Sequence, residues 1–166
     1  MIYEYINDYN INSKTKLQDL GLDWNGANGF CFDESGKVAI VWEEEKGYWC
    51  LPGGGRENNE TPEETFKRGV REEVQADVDE STLKYFHCVY EKSEKQICFR
   101  FICKLKNIEN FVPRKNINNF ISEIDERKFV SLEDLPKYIT WLETSETGKE
   151  SFEVLKKIEF PSLCYN

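Results

Sequence analysis

The chain has 166 residues, of which 39% are hydrophobic and 14% aromatic, and this predicts one globular domain over residues 1–166. Its formal net charge of −9 argues against a protein that wraps nucleic acid, because phosphate neutralisation needs clustered Lys and Arg. A phosphate-bearing small molecule remains compatible with this charge, since bound cations can reverse the local sign of a site.

No apolar run approaches the ~20 residues that span a bilayer, so we expect no membrane segment and a cytoplasmic location. The cysteines include no Cys-x2-Cys pair, which argues against a zinc site. We interpret them as small buried thiols rather than a disulfide framework. They are Cys31, Cys50, Cys88, Cys98, Cys103 and Cys164.

The first half of the chain predicts strands. Residues 1–22 are polar with spaced tyrosines, and they predict either an edge strand or an arm that contacts a partner. Residues 29–32 and 38–42 are apolar and flank the turn sequence at 33–36, which predicts a β-hairpin. A short strand at 49–51 then leads into Gly53, Gly54 and Gly55, which we expect to form a loop.

A helix is predicted next. Thr61 suits the N-cap, Pro62 the first helical position, and Glu64 completes a Thr-x-x-Glu capping box. The residues that recur at helical spacing form a narrow apolar stripe for the core. They are Phe66, Val70 and Val74.

The second half predicts strands at 83–90, 97–105 and 129–130, a capping pattern at 131–134, and a final helix over about 146–158. Phe152, Leu155 and Ile158 would face inward from that helix, and residues 138–166 would form the C-terminal helix and tail. Strands with interspersed helices predict an α/β fold in which a mixed β-sheet is sandwiched between helices.

The segment 51–76 carries the chemistry. Its glycines permit close backbone approach to a ligand, and Arg68, Glu72 and Glu73 lie near one side of the predicted helix, in a row with Glu64. Adjacent carboxylates repel one another, and a hard cation such as Mg²⁺ between them relieves that repulsion. A solvated acidic face is the plain alternative, but the glycines and the spacing favour a metal site.

This segment resembles the Nudix box, Gly-x5-Glu-x7-Arg-Glu-U-x-Glu-Glu-x-Gly-U, where U is an apolar residue. The matching residues are Gly54, Glu60, Arg68, Val70, Glu72, Glu73 and Ala76. The resemblance implies a Nudix fold and the metal-dependent hydrolysis of a diphosphate linkage in a nucleoside diphosphate derivative. It implies Mg²⁺ or Mn²⁺ as the cofactor.

Carried over by position, Glu72 and Glu73 would hold the metal and serve catalysis, and the Gly53 carbonyl would add a backbone ligand. Arg68 and Glu60 would orient the carboxylates through ion pairs. Gly54 would approach the substrate. Arg56 and Arg100 are further candidates for phosphate contacts. Members of the family also suggest a homodimer, as does the aromatic N-terminal segment.

Two positions depart from the box. Gln75 replaces the glycine that ends the helix, so that turn must close in another way. Gly69 replaces a glutamate that binds metal and, in several members, acts as the general base. Glu123 or Glu126, in a later loop, would then be the candidate base. We expect a weakened enzyme, or alternatively a non-catalytic Nudix module that binds or senses a nucleotide.

The sequence also predicts that Gly69→Glu would add a metal ligand without disturbing Phe66, Val70 or Val74, because residue 69 would lie on the metal-facing side of the helix. His87 is the single histidine, and we expect it to lie within a strand as a structural residue. The glycines lack the Gly-Lys-Ser/Thr ending of a P-loop, and the chain has no Gly-x-Ser-x-Gly elbow.

Overall fold

The computed structural model describes residues 3–6, 23–91, 96–113 and 124–159. Its strands are β1 (Tyr3–Ile6), β2 (Gly26–Phe32), β3 (Val38–Glu43), β4 (Tyr48–Cys50), β5 (Gly53–Gly55), β6 (Asp77–Val78), β7 (Lys84–Glu91), β8 (Gln96–Lys106) and β9 (Ile124–Val130). Its α-helices are α1 (Pro62–Glu73), α2 (Leu135–Tyr138), α3 (Trp141–Thr144) and α4 (Glu146–Leu155). A single turn of 3-10 helix covers Glu80–Thr82.

The strands form one mixed sheet with the order β1-β7-β8-β2-β3-β4. Strand β5 pairs with β2, β6 with β8, and β9 with β3. The β2–β8 pairing is parallel, and the other strand pairings are antiparallel. Residues 3–6 are thus an edge strand, which was one of the two alternatives for the N-terminal segment, while residues 7–22 lie outside the described residues.

Helices cover both faces of the sheet, because successive strand residues point to opposite sides and both sides are apolar. On one face, Phe66 and Val70 of α1 pack with Phe101 of β8. On the other, Leu135 and Leu142 pack with Ile40 of β3. The predicted mixed sheet between helices is therefore confirmed. No helix in the described ranges is long and apolar enough to cross a bilayer.

The strand at residues 96–106 shows the predicted alternation. Its inward residues on the α1 face are all buried. They are Ile97, Phe99, Phe101, Cys103 and Leu105. Phe152 and Leu155 of α4 also contact the core as expected, and Ile158 packs there just beyond the helix end. Cys31, Cys88 and Cys103 are buried free thiols, whereas Cys164 lies outside the described residues.

The expected hairpin forms, but its two strands pair only at Phe32 and Val38. Beyond that point β2 pairs with β8 on one side and with β5 on the other. The expectation of a loop at residues 53–55 is therefore wrong. These glycines pair with β2 as a strand. The pairing is so close that a side chain at Gly53 would overlap the Ala27 carbonyl, so this position requires glycine.

Helix α1 begins and ends through identifiable contacts. The capping box is confirmed, since Thr61 Oγ1 accepts from the Glu64 amide at 3.2 Å and Glu64 Oε2 accepts from the Thr61 amide at 2.8 Å. At the other end Gln75 has a positive φ of 59°. Its side chain compensates, because Nε2 donates to the Val112 carbonyl at 2.7 Å and Oε1 accepts from the Val112 amide at 3.0 Å.

Candidate functional site

A cavity of about 870 Å³ opens where the glycine strand β5, the end of β3 and the C-terminal turn of α1 meet. Strands β2 and β8 form its floor, and α3 forms part of its wall. The charged and polar side chains that line it include Asn28, Glu43, Lys46, Glu73 and Arg100. This volume lies within the range of sites that hold a nucleotide-sized ligand.

The glycine strand packs directly on α1, and Gly69 makes this possible. A Cβ built at Gly69 would overlap the Gly53 carbonyl and lie 2.7 Å from the Gly54 nitrogen. Gly69→Glu would therefore displace the Gly53–Gly54 backbone, whereas the sequence prediction considered only Phe66, Val70 and Val74. Gly69 is buried beneath the strand, and the glycine keeps the Gly53–Gly54 backbone in contact with the helix.

Arg68 ties the loop after the glycine strand to the helix. Its Nε donates to Glu60 Oε1 at 2.6 Å, and its Nη2 donates to the Gly55 carbonyl at 2.6 Å. Its Nη1 also donates to Glu72 Oε2 at 3.3 Å. The hydrogen bond from Arg68 lowers the pKa of Glu60 to about 2, with a smaller contribution from Thr65. Arg68 and Glu60 thus form the expected ion pair, and neither is among the residues that line the cavity.

The two adjacent glutamates of the box point to different surroundings. Glu72 is exposed and pairs with Arg68, whereas Glu73 lines the cavity, where its Oε2 accepts from the Gly53 amide at 3.0 Å. Burial raises the pKa of Glu73 to about 8, and the charges of Glu43 and Glu72 add to this rise. Glu73 is therefore the carboxylate of the box that faces the cavity.

Glu43 also lies on the cavity, and sequence reasoning missed it. It is only 6% exposed, and its Oε2 is buried with no hydrogen-bond partner in the described part of the chain. Lys46 Nζ lies 2.6 Å from that oxygen as an ion pair. A signal was present in the alternation of β3, because Ala39 and Val41 face α1 and residue 43 continues their row.

Arg100 lies at a different part of the cavity and is only 7% exposed. Its Nε donates to Asn28 Oδ1 at 3.2 Å, and its guanidinium lies 4.1 Å from the ring centroid of Trp141. A buried cation beside a cavity attracts anionic groups, so the position of Arg100 is compatible with the predicted phosphate contact. His87 lies behind it, buried in β7 as expected, with Nε2 3.4 Å from Arg100 Nη1.

Of the remaining candidates, two glycines line the cavity, and the charged residues lie away from it or outside the described residues. Arg56 pairs with Asp23 at 2.7 Å and stacks over the Trp24 ring at 4.5 Å. Glu126 is exposed on β9, opposite Trp42, and does not belong to the cavity lining. Glu123 lies outside the described residues. Gly53 and Gly54 line the cavity through their backbone.

The carboxylate oxygens on the cavity fit a hard divalent cation. Within the described ranges, no group of three or more His, Cys, Asp and Glu side chains is close enough to hold a metal by itself. Mg²⁺ nevertheless binds commonly through one or two carboxylates, completed by water and substrate phosphate oxygens. Glu73 and Glu43, whose Oε2 is paired with Lys46, supply oxygens of this kind on one cavity. The site can therefore accept such a cation.

Comparison with known proteins gives a consistent result. The NUDIX domain family model matches residues 24–150. An 8-oxo-dGTP diphosphatase of Proteus vulgaris is 49% identical over 61 residues, which cover 34% of this chain and 54% of that protein. The match therefore spans about half of the length of this relative.

Solved structures share the fold at lower identity. A variant of the Bacillus subtilis pyrophosphohydrolase BsRppH has a TM-score of 0.62 and 20% identity, with 95% of this chain and 93% of that one covered. An ADP-ribose pyrophosphatase from Streptococcus suis has a TM-score of 0.55 and 24% identity, with coverage of 81% and 92%. A C. elegans Ap4A hydrolase has a TM-score of 0.57 and 15% identity, with coverage of 80% and 99%.

Proposed function

Because the chain belongs to the NUDIX domain family, we propose that it hydrolyses the diphosphate linkage of a nucleoside diphosphate derivative with the help of Mg²⁺ or Mn²⁺. The observation that carries this proposal is the position of Glu73. It is the one box carboxylate on the cavity, it is half-buried, and the Gly53 amide donates to it at 3.0 Å. A half-buried carboxylate beside a nucleotide-sized cavity suits a phosphate-bound cation.

We assign different roles to the residues according to their positions around the cavity. Arg68 holds Glu60, Gly55 and Glu72 together and so fixes the glycine strand against α1. The Gly53–Gly54 backbone lets the diphosphate approach closely, since no side chain intervenes. Arg100 draws a negative group of the substrate towards its part of the cavity.

The reaction adds one water across the P–O–P linkage and releases one proton. A divalent cation would neutralise charge on the phosphate oxygens while water attacks phosphorus in line. Position 69 supplies no carboxylate to accept the proton, so general-base assistance there is missing. Such assistance typically contributes ~10²–10⁴-fold in rate, and we therefore propose a slow enzyme.

Modified nucleotides are the first substrates to test. The Proteus vulgaris relative is named for 8-oxo-dGTP, and the solved structures are named for ADP-ribose and for Ap4A. All three compounds contain a phosphoanhydride linkage joined to a nucleoside. The flat ring of Trp141 on the cavity wall suits a nucleobase or a similar planar group.

A non-catalytic module that binds or senses a nucleotide is the second candidate. Gly69 favours it, because the site has no carboxylate at the position of the family's base and no space for one. Both candidates predict a nucleotide in the cavity, but only the first predicts product formation.

The test is a substrate panel of 8-oxo-dGTP, ADP-ribose and Ap4A at millimolar Mg²⁺ or Mn²⁺. We expect metal-dependent product formation by the wild type, its loss in Glu73→Gln, and its retention in the control Glu63→Gln. Saturable nucleotide binding without product on any compound would select the binding module. Neither binding nor turnover would reject both candidates.

We also propose a homodimer. Strand β1 stands at the end of the described strand order, so its outer edge can pair with a second chain. Light scattering at high protein concentration should give twice the mass of the chain. A constant monomer mass would remove this part of the proposal.

A further inference from the structure

We propose that Glu43 and Glu73 together hold the divalent cation of this site, with Glu43 supplying the carboxylate that position 69 lacks. This inference rests on the proposed function, because it assigns a ligand of the same site. Glu43 belongs to β3, outside the box. The assignment therefore moves part of the metal site from the helix to the sheet.

The first argument is the direction of the Glu43 side chain. Ala39 and Val41 of β3 are fully buried in the core beneath α1, and residue 43 continues the same row. The pairing of β3 with β9 shifts register between Trp42 and Glu43, at the place where the strand reaches the cavity. The extra residue of this irregularity is Asp125 on β9, so Glu43 keeps the direction of its row and reaches the cavity.

The second argument is the cost of burying Glu43 with one half-exposed lysine as its partner. A buried carboxylate normally receives hydrogen bonds, because removing it from water is expensive. Among the described residues, Glu43 Oε2 has only the ion pair with Lys46, whose side chain is 48% exposed. A divalent cation at this oxygen would give it a stronger partner.

The third argument is the accumulation of negative charge at one place. Glu43 is buried and Glu73 is half-buried, and both line the same cavity. Two carboxylates brought together in this way repel each other when ionised, and a cation between them relieves that repulsion.

The ammonium group of Lys46 already lies beside Glu43. Its Nζ lies 2.6 Å from Glu43 Oε2, and its side chain is 48% exposed. A flexible lysine can therefore leave towards solvent when a divalent cation enters. Lys46 would then compete with the metal, whereas Glu43 would bind it. The two members of one ion pair should thus have opposite effects on metal affinity.

The experiment measures Mn²⁺ affinity of the full chain by electron paramagnetic resonance of free Mn²⁺, without substrate. Glu43→Gln and Glu73→Gln should each weaken binding by about 10-fold or more, by analogy with the loss of groups that support metal sites. Lys46→Met should tighten binding several-fold. Glu45→Gln, an exposed carboxylate in the same turn, should leave the affinity unchanged and serves as the matched control.

Thermal unfolding without metal checks that each variant folds, and Lys46→Met keeps the test valid if Glu43→Gln does not. Unchanged affinity in both Glu43→Gln and Lys46→Met, with loss in Glu73→Gln, would overturn the role of Glu43 and leave the proposed function standing. Weaker binding in Lys46→Met would also overturn it. A wild type that neither binds Mn²⁺ nor forms product would reject the proposed function itself.

Discussion

Gly69 of α1 lies against the carbonyl group of Gly53, so that any side chain at position 69 would overlap the glycine strand. Gly69→Ala should therefore destabilise the protein, although alanine favours a helix by roughly 1 kcal/mol over glycine. Overpacking of this kind costs about 1–3 kcal/mol, which should exceed the helical gain. Urea unfolding measures the difference.

Gly55→Ala is the matched control, because a Cβ at Gly55 meets open space. It should change stability by less than about 0.5 kcal/mol. If Gly69→Ala were as stable as the wild type, the contact between the glycine strand and α1 would be looser than described. Gly69→Glu should be destabilised further, in contrast to the prediction from the sequence alone.

The ion pair of Glu60 with Arg68 should make the free energy of unfolding decrease as the pH falls into the acidic range. The pKa of Glu60 is lowered to about 2 in the folded protein, from an ordinary value of 4.5. A lowered pKa contributes stability that is complete above pH 4.5 and is lost as the pH falls towards 2. Glu60→Gln should thus be less stable than the wild type at pH 7, and the difference should shrink below pH 4.5.

Chemical unfolding at several pH values tests this expectation, with Glu63→Gln on the same helix as the control. A difference between Glu60→Gln and the wild type that stayed constant from pH 7 to pH 3 would show that the charge of Glu60 is not what stabilises the turn.

His87 should contribute a second, separate pH dependence. Burial, together with the charge of Arg100, lowers the pKa of His87 to about 2. The unfolded chain takes up a proton near pH 6.5, but the folded chain does not, so stability falls as the pH drops below 6.5. The slope from this one group is at most about 1.4 kcal/mol per pH unit. His87→Gln should flatten the dependence between pH 6.5 and 4.

The comparison with His87→Gln isolates this contribution, because other groups titrate equally in both proteins. Parallel stability curves for the two proteins across that range would mean that His87 is protonated in the folded state. That result would contradict the expectation that burial keeps it neutral.

Gln75 should stabilise the end of α1 through its side chain. Its amide makes two hydrogen bonds to the backbone of Val112 and holds a residue with positive φ. Gln75→Ala loses both bonds and keeps the unfavourable φ, so it should cost more stability than Gln75→Gly, which relieves the backbone. Thermal unfolding of both variants gives the order. Equal losses would mean that the backbone conformation contributes little.

Local features of the fold could be predicted from the sequence, because neighbouring residues determine them. Thr61 and Glu64 cap α1 by contacts three residues apart, and the row from Ile97 to Leu105 follows strand alternation. The ion pair of Arg68 with Glu60 followed from the resemblance to the Nudix box, and the structure contains it.

Features that depend on distant pairing could not be predicted in this way. The glycines at 53–55 form a strand only because β2 lies beside them, and Gly69 is crowded only because that strand rests on α1. Glu43 was not singled out from the sequence, because its burial depends on the pairing of β3 with β9. Gln75 ends α1 through Val112, which is 37 residues away.

The most direct test of the central claim is ³¹P nuclear magnetic resonance of 8-oxo-dGTP, ADP-ribose and Ap4A incubated with the wild type and Mg²⁺ in ¹⁸O-labelled water. The account predicts slow cleavage of a phosphoanhydride linkage in at least one compound, with one ¹⁸O in one of the two phosphate products. Cleavage should require the metal and should be lost in Glu73→Gln. Intact substrates after prolonged incubation, or equal cleavage by Glu73→Gln, would contradict the account.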